Sequence, residues 1–380
     1  MFLFNFWKSY DRLVFDDDKN LEHYHEIFDS KKELNHLMWN DLKYNNLSHL
    51  QKCVTLTRNY PFINEYLIQY LKYYSFAIDY QNDHNGTALS LSSRCSNTKS
   101  SIETVKILIS YGASVNMKDA DGNTPLMYAC HFSKTESSDE NVLLLLENNA
   151  NVNLQNNIGN TALMCSLKAC NTTSSQESIY MLLKNDKINV NLRNNSGWTA
   201  LHYAVFYQLH EFIVLLISKN ANIKLKTNQG YDILSLCANN DDLNGMLLLL
   251  DHFKELPNYD DYEKSPIYIS SVIKKNSNIL KELLKKKPHV DKRIIGDIIS
   301  NENDENTKLL CLLVQYGFSL DDIPCKNYRK LTKNELMDIN HQFMEIMSEK
   351  IKNSKCSVCN QECYVIDILD LKICKNCIRK

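Results

Sequence analysis

Glycine and proline are scarce in this chain, nine and six among 380 residues, and charge is nearly balanced at a net −2. The balance excludes a global attraction to nucleic acid or anionic lipid. No uninterrupted apolar run approaches the roughly 18–20 residues that span a bilayer. The opening MFLFNFWKSYDRLVFDDD is apolar but lacks a basic first section, and Lys8 interrupts it. It reads as a packing strand or a helix start rather than a signal peptide. Catalytic patterns are also missing. There is no Gly-rich phosphate loop, no paired-carboxylate pattern, and no Ser/His/Asp or Cys/His set apart from framework positions. The expectation is therefore a non-enzymatic protein. What is present, 44% hydrophobic and 23% charged residues, belongs to a folded chain rather than a disordered one. The 13 cysteines are odd in number and eight are scattered, as expected of small buried residues in a reducing, intracellular compartment.

The chain repeats itself. GNTPLMYAC, GNTALMCSL, GWTALHYAV and GYDILSLCA align from Gly122, Gly159, Gly197 and Gly230, with GTALSLSS from Gly86 and KSPIYISSV from Lys264. The anchors Thr87, Thr124, Thr161, Thr199, Asp232 and Ser265 step by 37, 37, 38, 33 and 33 residues. Each anchor can cap a helix by accepting a free N–H of the next turn. Pro125 and Pro266 sit directly after their anchors, where proline costs a helix nothing. A second apolar helix follows, over 103–112, 141–149, 178–186 and 211–220, ended by Gly or Asn as a left-handed cap, with Asp186 taking that place in the third copy. An extended ASVN, ANVN, INVN or ANIK then leads into a polar turn. One such unit cannot bury its own apolar faces, whereas stacked units can.

With TALHYA at Thr199 and TPLMYA at Thr124, the sequence resembles the ankyrin repeat over roughly residues 80–320. The resemblance implies an all-α solenoid of about seven units. The copies at Ser265 and over 293–321 are degenerate and lack the Gly turn. The Asn-rich style further resembles ankyrin proteins of giant amoebal DNA viruses, which would place the chain in a host cell, cytoplasmic or nuclear. The division expected is 1–80, an N-terminal helical cap with a diverged repeat; 81–321, the repeats; 322–352, a capping helix; and 353–380, a cysteine-rich tail. In the cap, 40–54 fits a helix–turn–helix. The capping helix reads amphipathic over 331–350, with Leu336, Ile339, Phe343, Met344 and Met347 on one side.

The first three copies carry four extra residues between their helices, written in Ser, Thr, Asn and Glu over 96–101, 133–140 and 171–178. They read as tolerated surface loops or as polar fingers that touch a partner.

In ankyrin proteins partners sit on the concave side, lined by turn tips and first-helix ends. Carried over, the turn residues are Ala120, Asp121, Asn123, Asn157, Ile158, Asn160, Asn195, Ser196, Trp198, Asn228, Gln229 and Tyr231. The helix ends are His131, Phe132, Lys168, Ala169, Phe206 and Tyr207. Trp198, Phe206, Tyr207 and Tyr231 form a candidate hot spot, with His131, Phe132 and Ile158 beside it, since a few aromatic anchors carry most interface energy. The competing reading is that Phe206 and Phe132 pack under a neighbouring loop. His202 holds the family's histidine position and is expected to bond turn backbone. The expected partner is a protein bound by a monomer, as an adaptor or scaffold, without membrane.

In the tail, Cys356-x2-Cys359 is followed after fourteen residues by Cys374-x2-Cys377. Two such knuckles around an apolar segment that can form a hairpin resemble a zinc ribbon, a closed site of four cysteines with a structural Zn2+. Cys363 is a spare. The tail has too few ligands for a two-zinc RING domain. Lys372, Lys375, Arg379 and Lys380 give it a basic edge, so the alternative function is a nucleic-acid-associated factor using the zinc module. The lysines near Pro288 could pass for a nuclear import signal, but a helix C-terminus accounts for them.

Overall fold

The computed structural model describes residues 49–58, 63–170 and 172–300, with Leu309, Leu312, Leu313 and Tyr316, and the backbone of three strands in the tail. The opening segment, most of the copy over 293–321 and the helix expected over 331–350 lie outside the described residues.

The repeat grammar becomes helix pairs. The first pair is α1 (His49–Leu56) and α2 (Ile63–Tyr73), then α3 (Ala88–Cys95) with α4 (Ile102–Ser110), and α5 (Pro125–His131) with α6 (Asp139–Glu147). Further on come α7 (Ala162–Ala169), α8 (Gln176–Lys184), α9 (Ala200–Phe206), α10 (His210–Ser218), α11 (Ile233–Asn239) and α12 (Leu243–Leu250). The last copies give α13 (Pro266–Tyr268), which runs into a π-helical turn over Ile269–Ile273, then α14 (Ser277–Lys285) and α15 (Lys292–Ser300). Of the 40–54 expected as a helix–turn–helix in the N-terminal cap, residues 40–48 lie outside the described residues and the rest falls within α1.

All six anchors cap their helices. Thr87, Thr124, Thr161, Thr199, Asp232 and Ser265 accept from the N–H three residues on, at 3.1, 3.3, 3.3, 3.4, 2.8 and 3.1 Å. Each such cap contributes about 1 kcal/mol. The core repeats with the same register. Leu89, Leu126, Leu163, Leu201, Leu234 and Ile267, two residues after each anchor, are buried. So are Leu108, Leu145, Leu182, Leu216, Leu249 and Leu283 on the second helices. Burying each side chain stabilises the fold by about 1.5–3 kcal/mol. Gly112, Asn149 and Asn220 take the left-handed cap conformation, φ 91°, 62° and 61°. Asp186 does not. There the chain leaves α8 through a turn on Asn185, whose side chain accepts from Lys187 N at 3.0 Å.

The described residues divide into two compact units: those up to Asn151 with Thr173–Ser178, and Val152–Thr172 with those from Ile179 onward. In the first, the Ser-rich inserts are neither loose loops nor free fingers. They bond to one another. Asn97 N donates to Glu136 O at 2.9 Å, Lys134 N to Thr173 O at 2.9 Å, and Ser175 N to Ser133 Oγ at 2.8 Å. The ladder starts at the cap, where Thr57 Oγ1 accepts from Thr104 Oγ1 at 2.7 Å. Second-helix residues reach into it: buried Asn141 donates to Ser93 O at 2.8 Å and Ser137 Oγ at 3.0 Å.

In the second unit, the described pairs without inserts join their helices in a tight turn. Gln208, Asp241 and Lys275 sit at φ 55°, 54° and 54° in those turns. Side-chain amides then link one turn to the next. Gln208 Nε2 donates to Asn240 O at 3.1 Å, and Asn240 Nδ2 to Phe206 O at 2.9 Å.

The tail carries strands beside the helical repeats. β1 (Lys352–Lys355), β2 (Glu362–Ile368) and β3 (Leu371–Cys374) form one antiparallel sheet in the order β1-β2-β3. β2 and β3 are the expected hairpin, with Val365 opposite Cys374 and Ile368 opposite Leu371. β1 starts inside the segment assigned to the capping helix.

Candidate protein-docking face

The turn between one pair and the next is a hairpin built the same way each time. Five residues before the anchor, Asn82, Asp119, Asn156, Asn194 and Thr227 fold their side chains back. Each accepts from the N–H just before the anchor, at 2.8–3.2 Å. Asn85, Gly122, Gly159, Gly197 and Gly230 supply the left-handed residue. In the first copy this is Asn85, one place before the glycine at 86. A Cβ on Gly159 would stand 2.7 Å from Asn194 Cα and Asn195 N, so the position admits no side chain. Neighbouring tips are joined: Ala120 N to His84 O at 2.8 Å in the first unit, Asn195 N to Ile158 O at 3.1 Å and Asn228 N to Ser196 O at 2.9 Å in the second. The amides of Asn195 and Asn228 also bond across tips, each at 2.8 Å. These two expected partner-facing residues are thus engaged in holding the hairpins together, and Asn123 and Asn160 are buried.

In the second unit, three of the four aromatic candidates at the tips and first-helix ends come together. Trp198, half-buried, lies edge-on to Phe206 at 5.3 Å between ring centroids, and Phe206 meets Tyr207 at 5.1 Å. Phe206 is 40% exposed, so in this copy the packed-away alternative does not hold. A fourth ring, Tyr203, contacts Trp198 at 5.2 Å and stacks near Tyr207 at 6.5 Å. Its hydroxyl donates to Asn160 Oδ1 at 3.2 Å and accepts from Asn194 Nδ2 at 3.1 Å. Burial raises the Tyr203 and Tyr207 phenols above their ordinary value. Sequence reading missed Tyr203. Its signal was the tyrosine that recurs four residues after the anchor: Tyr128 donates to Asp119, and Tyr203 accepts from Asn194, the equivalent turn residue.

Tyr231 stands in the next copy at the place Trp198 holds, half-buried, with Lys264 Nζ 6.0 Å from its ring centre. Ile158 is 45% exposed at its tip. His131 and Phe132 belong to the first unit and touch each other at 4.6 Å. Phe132 is only 8% exposed and has the Arg94 guanidinium 5.1 Å from its ring centre. It is framework and not a docking residue: the packing reading holds for Phe132 and not for Phe206.

His202 and Thr199 superficially resemble a base beside a nucleophile, with Nδ1 2.8 Å from Oγ1. Both are buried, and Thr199 Oγ1 already caps α9 while the imidazole closes the box onto the Thr199 N–H at 3.2 Å. Desolvation lowers the His202 pKa to about 4, too weak a base for the role. The pair is structural. Among the scattered thiols, Cys53, Cys95, Cys130, Cys170 and Cys237 are buried, and burial pushes Cys95 up to about 11. They are packing residues. Cys356, Cys359 and Cys377 lie outside the described residues, and Cys374 is described only as the last backbone position of β3.

Capped helix pairs whose hairpin tips are bonded within each unit define a class, the helical repeat proteins. More narrowly, residues 59–156 and 134–227 match the family model described as ankyrin repeats (3 copies). The copies anchored at Asp232 and Ser265 lie beyond that match and keep the same capped geometry. Over 52 residues the chain is 42% identical to "BTB/POZ domain and ankyrin repeat-containing protein NPR3" of Oryza sativa subsp. japonica, covering 14% of this chain and 9% of that protein. Over 49 residues it is 45% identical to "BTB/POZ domain and ankyrin repeat-containing protein NPR1" of Malus hupehensis, covering 13% of this chain and 8% of that protein. The chain thus spans less than a tenth of the length of these relatives. No helix among the described residues is long and apolar enough to cross a membrane.

Proposed function

We propose that this chain is a non-enzymatic interaction scaffold whose protein partner docks on the tip face of the second unit, centred on Trp198, Phe206 and Tyr207. The observation that carries this reading is the exposed ring of Phe206 held at fixed angles by its aromatic neighbours, a preorganised anchor for another protein. An adaptor role, in which the repeats hold a protein for another factor, accords with relatives named for ankyrin repeats beside a BTB/POZ domain. Phe206→Ala tests the site. Full-length wild type and variant serve as baits, and each captured protein is purified and titrated against both. The expected result is a loss of affinity of about thirtyfold or more with the melting temperature nearly kept. Unchanged affinity would remove the face from consideration.

We further propose that Cys356, Cys359, Cys374 and Cys377 hold a structural zinc ion. Four thiolates match its preferred donor set. The pairing supports convergence: Lys355, which precedes Cys356, pairs with Glu362, and Cys374 pairs with Val365, so β1 ends and β3 ends toward the same end of the sheet. The ion would supply stability to a segment too small for its own core. Metal analysis of the purified chain should find about one zinc per molecule, lost in Cys374→Ser; a metal-free wild type prepared with zinc present would reject the site.

A further inference from the structure

The proposed docking face is not electrically neutral, and its charges are placed unevenly. Lys168 occupies, on α7, the position that Phe206 occupies on the adjacent α9, and it is exposed. Among the described residues it has no carboxylate partner. Arg193 lies in the hairpin that carries Trp198. Among the described residues its guanidinium bonds only neutral oxygens, Gly197 O at 3.3 Å, Lys226 O at 2.9 Å and Asn228 Oδ1 at 3.2 Å. The positions that carry the rings hold no carboxylate: Asn160, Trp198 and Tyr231 precede three successive anchors, and Cys165 and Tyr203 lie on α7 and α9. Asp232 is sunk below the surface as the α11 cap. The sign reverses one copy further on, where Asp260, Asp261 and Glu263 cluster in the turn before Ser265 and Lys264 is paired with Asp261 at 3.0 Å.

Resting on the docking reading above, we infer that the face takes an extended polypeptide segment with an aromatic or aliphatic anchor over the Phe206 ring and Asp or Glu residues over Lys168 and Arg193. Charge complementarity argues for this occupant. A basic segment would meet two uncompensated cations where it enters, whereas an acidic one pairs with both while its anchor covers the exposed ring. The acidic turn beyond Tyr231 repels a continuous acidic run, so the carboxylates belong on one side of the anchor only. This sets the polarity of the bound segment as well as its composition.

The test is panning a displayed library of random dodecapeptides on the full chain, followed by titration of enriched synthetic peptides against wild type, Lys168→Glu, Lys168→Gln, Arg193→Gln and Phe206→Ala. Thermal melts confirm that each variant is folded. Enriched peptides should share an apolar anchor with carboxylates on one side. Lys168→Glu should weaken them about tenfold, with Lys168→Gln intermediate, and the wild-type affinity should fall with added salt. Peptides lost on Phe206→Ala but indifferent to Lys168→Glu and to salt would overturn the acidic class and leave the docking face standing. Peptides indifferent to Phe206→Ala would overturn the face itself, and a library that yields no binder would count against both.

Discussion

The two units solve one problem, joining a first helix to its second, in two ways. In the first unit the joint is a polar insert, and successive inserts bond to each other and to buried residues on the second helix. In the second unit the described joints without inserts are left-handed single-residue turns at Gln208, Asp241 and Lys275. The second helix registers the difference at one position. It is Thr104, Asn141 and Ser178 in the copies with inserts, and Phe212, Gly245 and Ile279 in those without. All six are buried, and the polar three are hydrogen-bonded to insert or cap residues. A longer loop brings backbone groups that need partners, and a polar side chain beneath it supplies them. Where no insert exists the same site takes an apolar side chain or none. The aromatic docking candidates, Trp198, Phe206, Tyr207 and Tyr231, all fall in the unit with the tight turns.

The largest expected effect separates hairpin crowding from loop chemistry. Gly159→Ala places a methyl group 2.7 Å from the backbone of the next hairpin, at φ 81°. Neither backbone atom it meets can swing aside as the end of a flexible side chain would. The change should cost about 3 kcal/mol, read as a lower denaturant midpoint; a cost under about 1 kcal/mol would show that the tips are free to separate.

Next in size is a pH effect confined to the second unit. His202 is neutral in the folded chain, with its pKa lowered from 6.5 to about 4 by burial. Between those values the unfolded state binds a proton that the folded state does not, so stability rises with pH and its full contribution is present above about 6.5. Acidification from pH 7 to 4 should remove about 3 kcal/mol through this residue. Met127 and Met164 fill the same place in other copies. His202→Met should therefore flatten this part of the pH profile of the denaturant midpoint, at the expense of the capping box. An unchanged slope would assign the acid sensitivity to other groups.

Asn141→Ala breaks the polar solution of the first unit. It leaves Ser93 O and Ser137 Oγ without their buried donor and should cost about 2 kcal/mol. Asn141→Ala combined with removal of the four extra residues should cost less than the two changes summed, since the insert is what the amide serves. Additive costs would mean that the insert and the helix are independent.

Much of this was legible because one grammar is written six times. The anchors, the first-helix leucines and the turn glycines recur at fixed offsets, so their roles follow from helix capping and φ preferences alone. Ser265 kept its cap although its turn has no glycine. The inserts were not legible as a ladder, because Ser, Thr and Asn are equally at home in an exposed loop. The discriminating residues, Thr104, Asn141 and Ser178, sit apart from the inserts on an otherwise apolar helix. At the docking face Phe206 and Phe132 both close a first helix, one position apart, seven and eight residues after their anchors, yet the first is exposed and the second buried. Arg94 decided the second, and only the fold brings that guanidinium to the ring. Asp186 failed as a helix cap because Asn185 offers an earlier turn through its own side chain.

The smallest effect completes the comparison begun at Gly159. Gly112, the cap of α4 in the first unit, has φ 91°, and a Cβ there would meet nothing within 4 Å. Only the intrinsic penalty of the left-handed region applies, so Gly112→Ala should cost about 1 kcal/mol. Asn149 and Asn220 hold the equivalent position with φ 62° and 61°, which puts Gly112→Asn below Gly112→Ala in cost. Two glycines with similar backbone angles should then differ severalfold in sensitivity, and the difference measures the contact between hairpins alone. Equal costs at Gly112 and Gly159 would trace both to backbone strain and remove hairpin contact as a source of cohesion between repeats.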